Sequence, residues 1–175
     1  LAFAASYGTC YYLVFVYLPQ WLSAQGLMER SEALAINTAM MLLVIPTMPL
    51  SAMVGDRRLP RRTWVGLAIG LLALAAWPLH EWMLMSGGSL VSILVTHALT
   101  FVLLAVPLGS APALFVELFP EEDRLSGYSV AFNIGLGIFG GVTPMVAASL
   151  IVITNAPTAP ALYMLFAGLV AVVAL

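Results

Sequence analysis

SLVSILVTHALTFVLLAVPLGSAPALF, residues 89–115, runs for 27 residues without an Asp, Glu, Lys or Arg. Coiled as a helix at about 1.5 Å per residue, such a run measures roughly 40 Å and outreaches the ~30 Å hydrocarbon core of a bilayer. A membrane-spanning strand needs only about 9–11 residues and alternates apolar with polar, which this stretch does not do. It reads as a transmembrane helix. Working outward, five more apolar runs lie at about 1–24, 33–54, 64–79, 127–153 and 161–175, so the sequence predicts six spans and an all-α integral membrane fold. Composition agrees: of 175 residues 62% are hydrophobic and 8% charged, with a mean hydropathy of +1.05, against about 25% charged in soluble domains.

The same numbers exclude whole classes of function. Six arginines, no lysine and a net charge of −2 leave no basic surface for nucleic acid. Cys10 stands alone inside an apolar run, so neither a disulfide framework nor a thiolate metal cluster is expected. No metal or cofactor is expected, and no enzymatic activity. Leu1 is not an initiator Met, and the run 161–175 is short for a full crossing, so the sequence is read as a fragment cut at both ends. No basic region or small-residue cleavage site marks a signal peptide.

Arg57, Arg58, Arg61 and Arg62 fall between the second and third spans and Arg124 between the fourth and fifth, whereas the alternate connections hold only Arg30. By the positive-inside rule the N-terminus and both arginine-bearing loops face the cytoplasm. The third and sixth spans are apolar almost all round and are expected to face lipid. The first, second, fourth and fifth carry the polar residues, among them Tyr7, Tyr11, Tyr12, Tyr17, Gln20, Asn37, His97 and Asn133, and read as the lining of something wet. The order lining, lining, peripheral occurs twice, as two three-helix repeats would give. Pro19, Pro46, Pro49, Pro107, Pro112 and Pro144 sit in or near the lining spans, where a missing N–H permits a kink. Gly66 with Gly70, and Gly137 with Gly141, have the GxxxG spacing and are expected to serve helix packing.

The tract LFVELFPEEDRLSG followed by YSVAFNIGLGIFGGVTPMVAASLI resembles the tenth to eleventh helices of the metabolite:proton symporters in the major facilitator superfamily. CYYLVFVYLPQWL resembles their seventh helix and TNAPTAPALYMLFAGLV their last hairpin, so the likeness covers nearly the whole chain as a C-terminal half. SAMVGDRRLPRRTW is similar to the superfamily's cytoplasmic motif at Asp56 and Arg57, and departs from it at Ala52, Leu59 and Pro60; Glu117, Pro120 and Arg124 match the Glu-Leu-Phe-Pro motif. The resemblance implies a twelve-helix transporter of the plasma (inner) membrane, with a missing N-terminal six-helix half. It further implies alternating access and proton-coupled uptake of a small metabolite such as an organic acid, proline or betaine.

Within that reading Tyr11, Tyr12, His97 and Asn133 are the candidates for the substrate cavity. Phenol rings attract quaternary ammonium groups and their hydroxyls anchor anions. His97 is the ionisable group well inside a span, and an amide suits hydrogen bonding to a solute. Ser129, Asn133, Gly137 and Gly141 also fall on one stripe that would serve as a packing seam. Glu81 is read as solvated on an extracytoplasmic connection. Asp56, Arg57, Glu117 and Arg124 are the candidates for a cytoplasmic gate, since the resemblance implies reciprocal charge pairs that hold that side shut. Four rival readings weigh less. No Gly-x-Ser-Gly turn marks an intramembrane protease, and Asn155-Ala156-Pro157 is a lone triplet where a water channel has paired ones. The six-helix domain of an exporter served by a separate ATPase, or a receptor that transports nothing, remains the alternative.

Overall fold

A computed structural model describes residues 1–117 and 119–175, with their side chains except those of Asp56 and Arg58. The described residues form six helical rods. The first joins α1 (Ala2–Tyr12), a π-helical segment (Leu13–Tyr17) and α2 (Leu18–Ala24) end to end. The second, third and fourth are α3 (Arg30–Arg58), α4 (Arg61–Met85) and α5 (Leu90–Glu117). The fifth joins α6 (Arg124–Phe132), a second π-helical segment (Asn133–Gly140) and α7 (Gly141–Thr154); the sixth is α8 (Ala159–Val173). Arg30–Gly55, Arg61–Met85, Leu90–Glu117 and Arg124–Thr154 are each long and apolar enough to cross a bilayer, while α8 is a shorter apolar helix. The chain is an all-helical, multi-pass membrane protein.

Proline explains where the rods depart from α geometry. It lacks the N–H that the carbonyl four residues back would accept, and one relief is a local switch to i→i+5 bonding. Pro19 and Pro144 strip Phe15 and Gly140 of their donors, and those two residues lie in the two π-helical segments. Leu18 N–H accordingly reaches back to Leu13 O. Pro78 has no such consequence. The third span, expected over 64–79, runs from Arg61 to Met85 straight through that proline and carries His80 and Glu81 inside the helix.

The first rod lies at the centre of the bundle. Its α1 packs on the second π-helical segment and on α8, while α2 packs on α3. Around it α3 lies along α5, and α4 along both α5 and α8. Consecutive rods α3 and α4 meet little. The first rod crosses the fifth closely, backbone near backbone. A Cβ placed on Gly8 would lie 2.8 Å from the Gly135 carbonyl oxygen, and one on Gly135 would lie 2.5 Å from the Ala4 carbonyl carbon. Gly137 and Gly141, expected to serve helix packing, take no part in this crossing: within the described residues both face open space. The π-helical segment turns Gly135 and Gly140 inward instead, with Gly140 under the Tyr12 ring. Gly66 and Gly70 make ordinary contacts, 3.6 Å to Leu175 and Val172 side chains.

Candidate functional site

Most hydroxyls of the four polar rods are satisfied by their own helix. Thr9, Thr38, Thr47, Thr100, Thr143 and Thr154 each donate to the carbonyl four residues earlier. In each, the hydroxyl proton is committed to its own helix and the oxygen keeps its acceptor capacity. Among the described residues, what remains is a short set of aromatic rings and four buried polar atoms without partners: Asn37 Oδ1, Thr96 Oγ1, His97 Nε2 and Arg124 Nε.

A cavity of about 300 Å³ opens between the first rod, α3 and α5, walled by Tyr11, Phe15, Met41, Val44, Ile45, Met48 and Leu108. Tyr11 and Phe15 are one helical turn apart, with their rings edge to face at 4.9 Å, and Phe15 meets Phe101 of α5 the same way at 4.6 Å. Tyr11 is thus in the cavity. Tyr12 touches the Tyr11 ring at 5.6 Å but lies on the crossing with the fifth rod, over Gly140. Asn133 is exposed on the outer face of the fifth rod, its Nδ2 donating to Ser129 O at 2.8 Å. His97 has no exposed surface and packs at 5.7 Å on Phe101. Its Nδ1 donates to Ile93 O at 2.9 Å, since a carbonyl can only accept, and this leaves the Nε2 lone pair unmet. Of the four cavity candidates, then, Tyr11 alone stands in this cavity wall.

Three residues have partners that the sequence did not assign them. Asn37 of α3 is buried and donates to Phe15 O at 3.2 Å. Its signal was the pairing of a proline with an amide on another span, legible only once the two spans are known to touch. His80 is buried in α4, with Nδ1 donating to Ala76 O at 2.7 Å and its ring edge-on to Trp21 at 4.8 Å. Trp21 Nε1 donates in turn to Pro157 O at 2.8 Å. Glu81, read as solvated, is half-buried and accepts from the Thr158 hydroxyl at 3.2 Å, because the helix carries it to the last hairpin.

At the opposite end Arg61, the first residue of α4, pairs with Glu117, the last of α5. The two arginine-bearing connections therefore share one end of the bundle. Arg57 is exposed there, Arg124 opens α6 half-buried, and the Asp56 side chain lies outside the described residues. The partner that the structure supplies for Glu117 is Arg61, a residue that the motif did not single out.

No family model matches the chain, and no solved structure matches it. Curated relatives do. An ectoine/proline transporter of Corynebacterium glutamicum is 29% identical over 179 residues, covering 100% of this chain and 34% of the relative. A citrate-proton symporter of Klebsiella pneumoniae is 30% identical over 162 residues, 92% of this chain and 36% of the relative. A citrate-proton symporter of Salmonella typhi is 24% identical over 161 residues, 92% and 37%. The chain thus spans about a third of the length of the relatives it matches. Along nearly its whole length this chain is therefore similar to curated proton symporters and proline transporters, in keeping with the major facilitator motifs that its sequence resembles.

Proposed function

We propose that the chain, residues 1–175, is the C-terminal six-helix half of a twelve-helix transporter in the plasma membrane, which moves a small metabolite together with protons by alternating access. The observation that carries this reading is the pattern of rod contacts. Exchange the first three rods for the last three, in order, and first-with-fifth becomes fourth-with-second, third-with-fourth becomes sixth-with-first, and third-with-sixth is unchanged. All of these are main contacts of the bundle, as expected of two three-helix repeats. The open faces support it further. α3 packs by one stripe, Ala33, Asn37, Met40, Val44, Thr47, Ser51 and Gly55, and leaves apolar Leu42, Ile45, Leu50 and Met53 outside. The fifth rod leaves Val130, Ile138 and Met145 outside in the same way. A second six-helix half would cover such faces.

Phenol, phenyl and methionine groups wall the cavity, and no arginine lies in its wall. That chemistry favours a zwitterion with an alkylated ammonium over a tricarboxylate, whose charge would need basic partners from elsewhere. The test is uptake by vesicles holding the intact protein under an imposed proton gradient. Labelled proline or ectoine should accumulate, and a protonophore should abolish the accumulation. Citrate uptake in place of both overturns the substrate assignment; accumulation that a protonophore leaves unchanged overturns symport.

The end bearing Arg61 and Glu117 is the cytoplasmic end in this reading. The pair is partly exposed, with side chains 32% and 52% accessible, so it contributes only about 0–1 kcal/mol by itself. A balance between states that lies within a few kcal/mol is still moved by it. Glu117→Gln should lower uptake a few-fold and raise cytoplasmic labelling of a cysteine placed in the cavity. Exchanging the charges, Arg61→Glu with Glu117→Arg, should restore much of both, whereas Arg57→Glu with Glu117→Arg should not. Uptake and labelling unchanged in Glu117→Gln would leave these charges as topology signals alone.

A further inference from the structure

In an α-helix the carbonyl of Phe15 would accept the N–H of residue 19, which is Pro19 and has none. The first rod answers in two ways. It widens into the π-helical segment Leu13–Tyr17, and it recruits a side chain from another rod, Asn37 Nδ2, to the Phe15 oxygen at 3.2 Å. Asn37 is 5% exposed, and its Oδ1 has no partner among the described residues. The contrast with the threonines is informative, since they turn back on their own helices while this amide crosses to the carbonyl that proline released. Phe15 is also the ring that joins Tyr11 to Phe101 across the cavity wall. Whatever holds the Phe15 backbone holds that wall.

We propose that Asn37 is a positioning residue of the transport cycle: a latch from α3 to the first rod that keeps the proline-made π-helical segment, and with it the Tyr11–Phe15 wall, in the conformation seen here. The proposal rests on the transport reading above. The unmet Oδ1 raises the energy of the latched state, because a buried acceptor without a donor has lost its water for nothing. A latch of this kind holds weakly enough to release. Its strength depends on Pro19, and that dependence distinguishes a latch from ordinary packing.

The test is a double-mutant cycle in the intact protein. A Tyr11→Cys reporter in a Cys10→Ala background measures access to the cavity wall by the rate of maleimide labelling, and uptake is measured separately with Tyr11 in place. Asn37→Leu should change the labelling rate about fivefold, as loss of one hydrogen bond would, and should raise the half-saturating substrate concentration. Pro19→Ala gives the Phe15 carbonyl an N–H of its own helix. In that background Asn37→Leu should leave labelling unchanged. Asn37→Ala takes the place of the leucine if that variant fails to reach the membrane. Equal effects with and without Pro19, or no effect of Asn37→Leu, overturn the latch whatever the uptake shows. Labelling that obeys the cycle in a protein that moves no solute upholds the latch and overturns the transport reading.

Discussion

Gly8→Val should deplete the folded protein from the membrane and lower the thermal midpoint of what remains in detergent, while Gly137→Val should do neither. The Cβ at position 8 would meet backbone, the Gly135 carbonyl at 2.8 Å and the Leu136 Cα at 3.0 Å, and backbone cannot rotate away as a flexible side chain can. Overpacking a well-filled site costs about 1–3 kcal/mol, and valine set against backbone on both of its near sides belongs at the upper end of that range. At Gly137 nothing among the described residues lies within 4 Å, so within this six-helix bundle the change should stay within about 0.5 kcal/mol. Fluorescence-detected melting of both variants beside the parent decides the matter. If Gly137→Val proves the more harmful, Gly137 serves helix packing as its GxxxG spacing suggests, and the inward turn of Gly135 is wrong.

A comparably large effect is expected at His97. With no exposed surface and a ring packed on Phe101, its truncation leaves a void and strips Ile93 O of a donor. His97→Ala should therefore cost about 2–4 kcal/mol in stability, and its loss of uptake would say little about protons. His97→Gln is the informative variant, since an amide fills similar space and can keep a donor on Ile93 O but cannot titrate. If His97 takes up a proton during transport, the Gln variant should reach the membrane at the parent's level and lose the pH dependence of its uptake. A parental pH profile in His97→Gln would assign the residue to packing. His80 supplies the control, because it is equally buried but turned toward Trp21 and the last hairpin. His80→Gln should leave the pH profile as it is.

The helices were legible because each is a local matter. An apolar run such as 89–115 must bond its own backbone in a bilayer, whatever surrounds it, and motifs such as Glu117 with Pro120 and Arg124 are local strings too. Pro78 shows where local reading fails. A proline ends a helix only if the freed carbonyl finds nothing better, and α4 continues seven residues past it, to Met85. Which stripe of a rod faces a neighbour was less legible still. Ser129, Asn133, Gly137 and Gly141 share a face at α-helical spacing, but the π-helical segment changes that spacing and brings Gly135 and Gly140 to the first rod instead.

By itself, then, the sequence determined that this protein is a bundle of membrane helices, which end carries its arginines, and which family its motifs match. All three follow from the hydrophobicity and order of neighbouring residues. Only the tertiary structure decided that Glu117 meets Arg61, that Asn37 meets the carbonyl freed by Pro19, and that Tyr11 stands in the cavity wall while His97 is sealed away from solvent. Those pairings join residues of different rods. They depend on the angle and rotation at which rods cross, and those are set by the fit of small and large side chains over whole faces, which no short string of residues encodes.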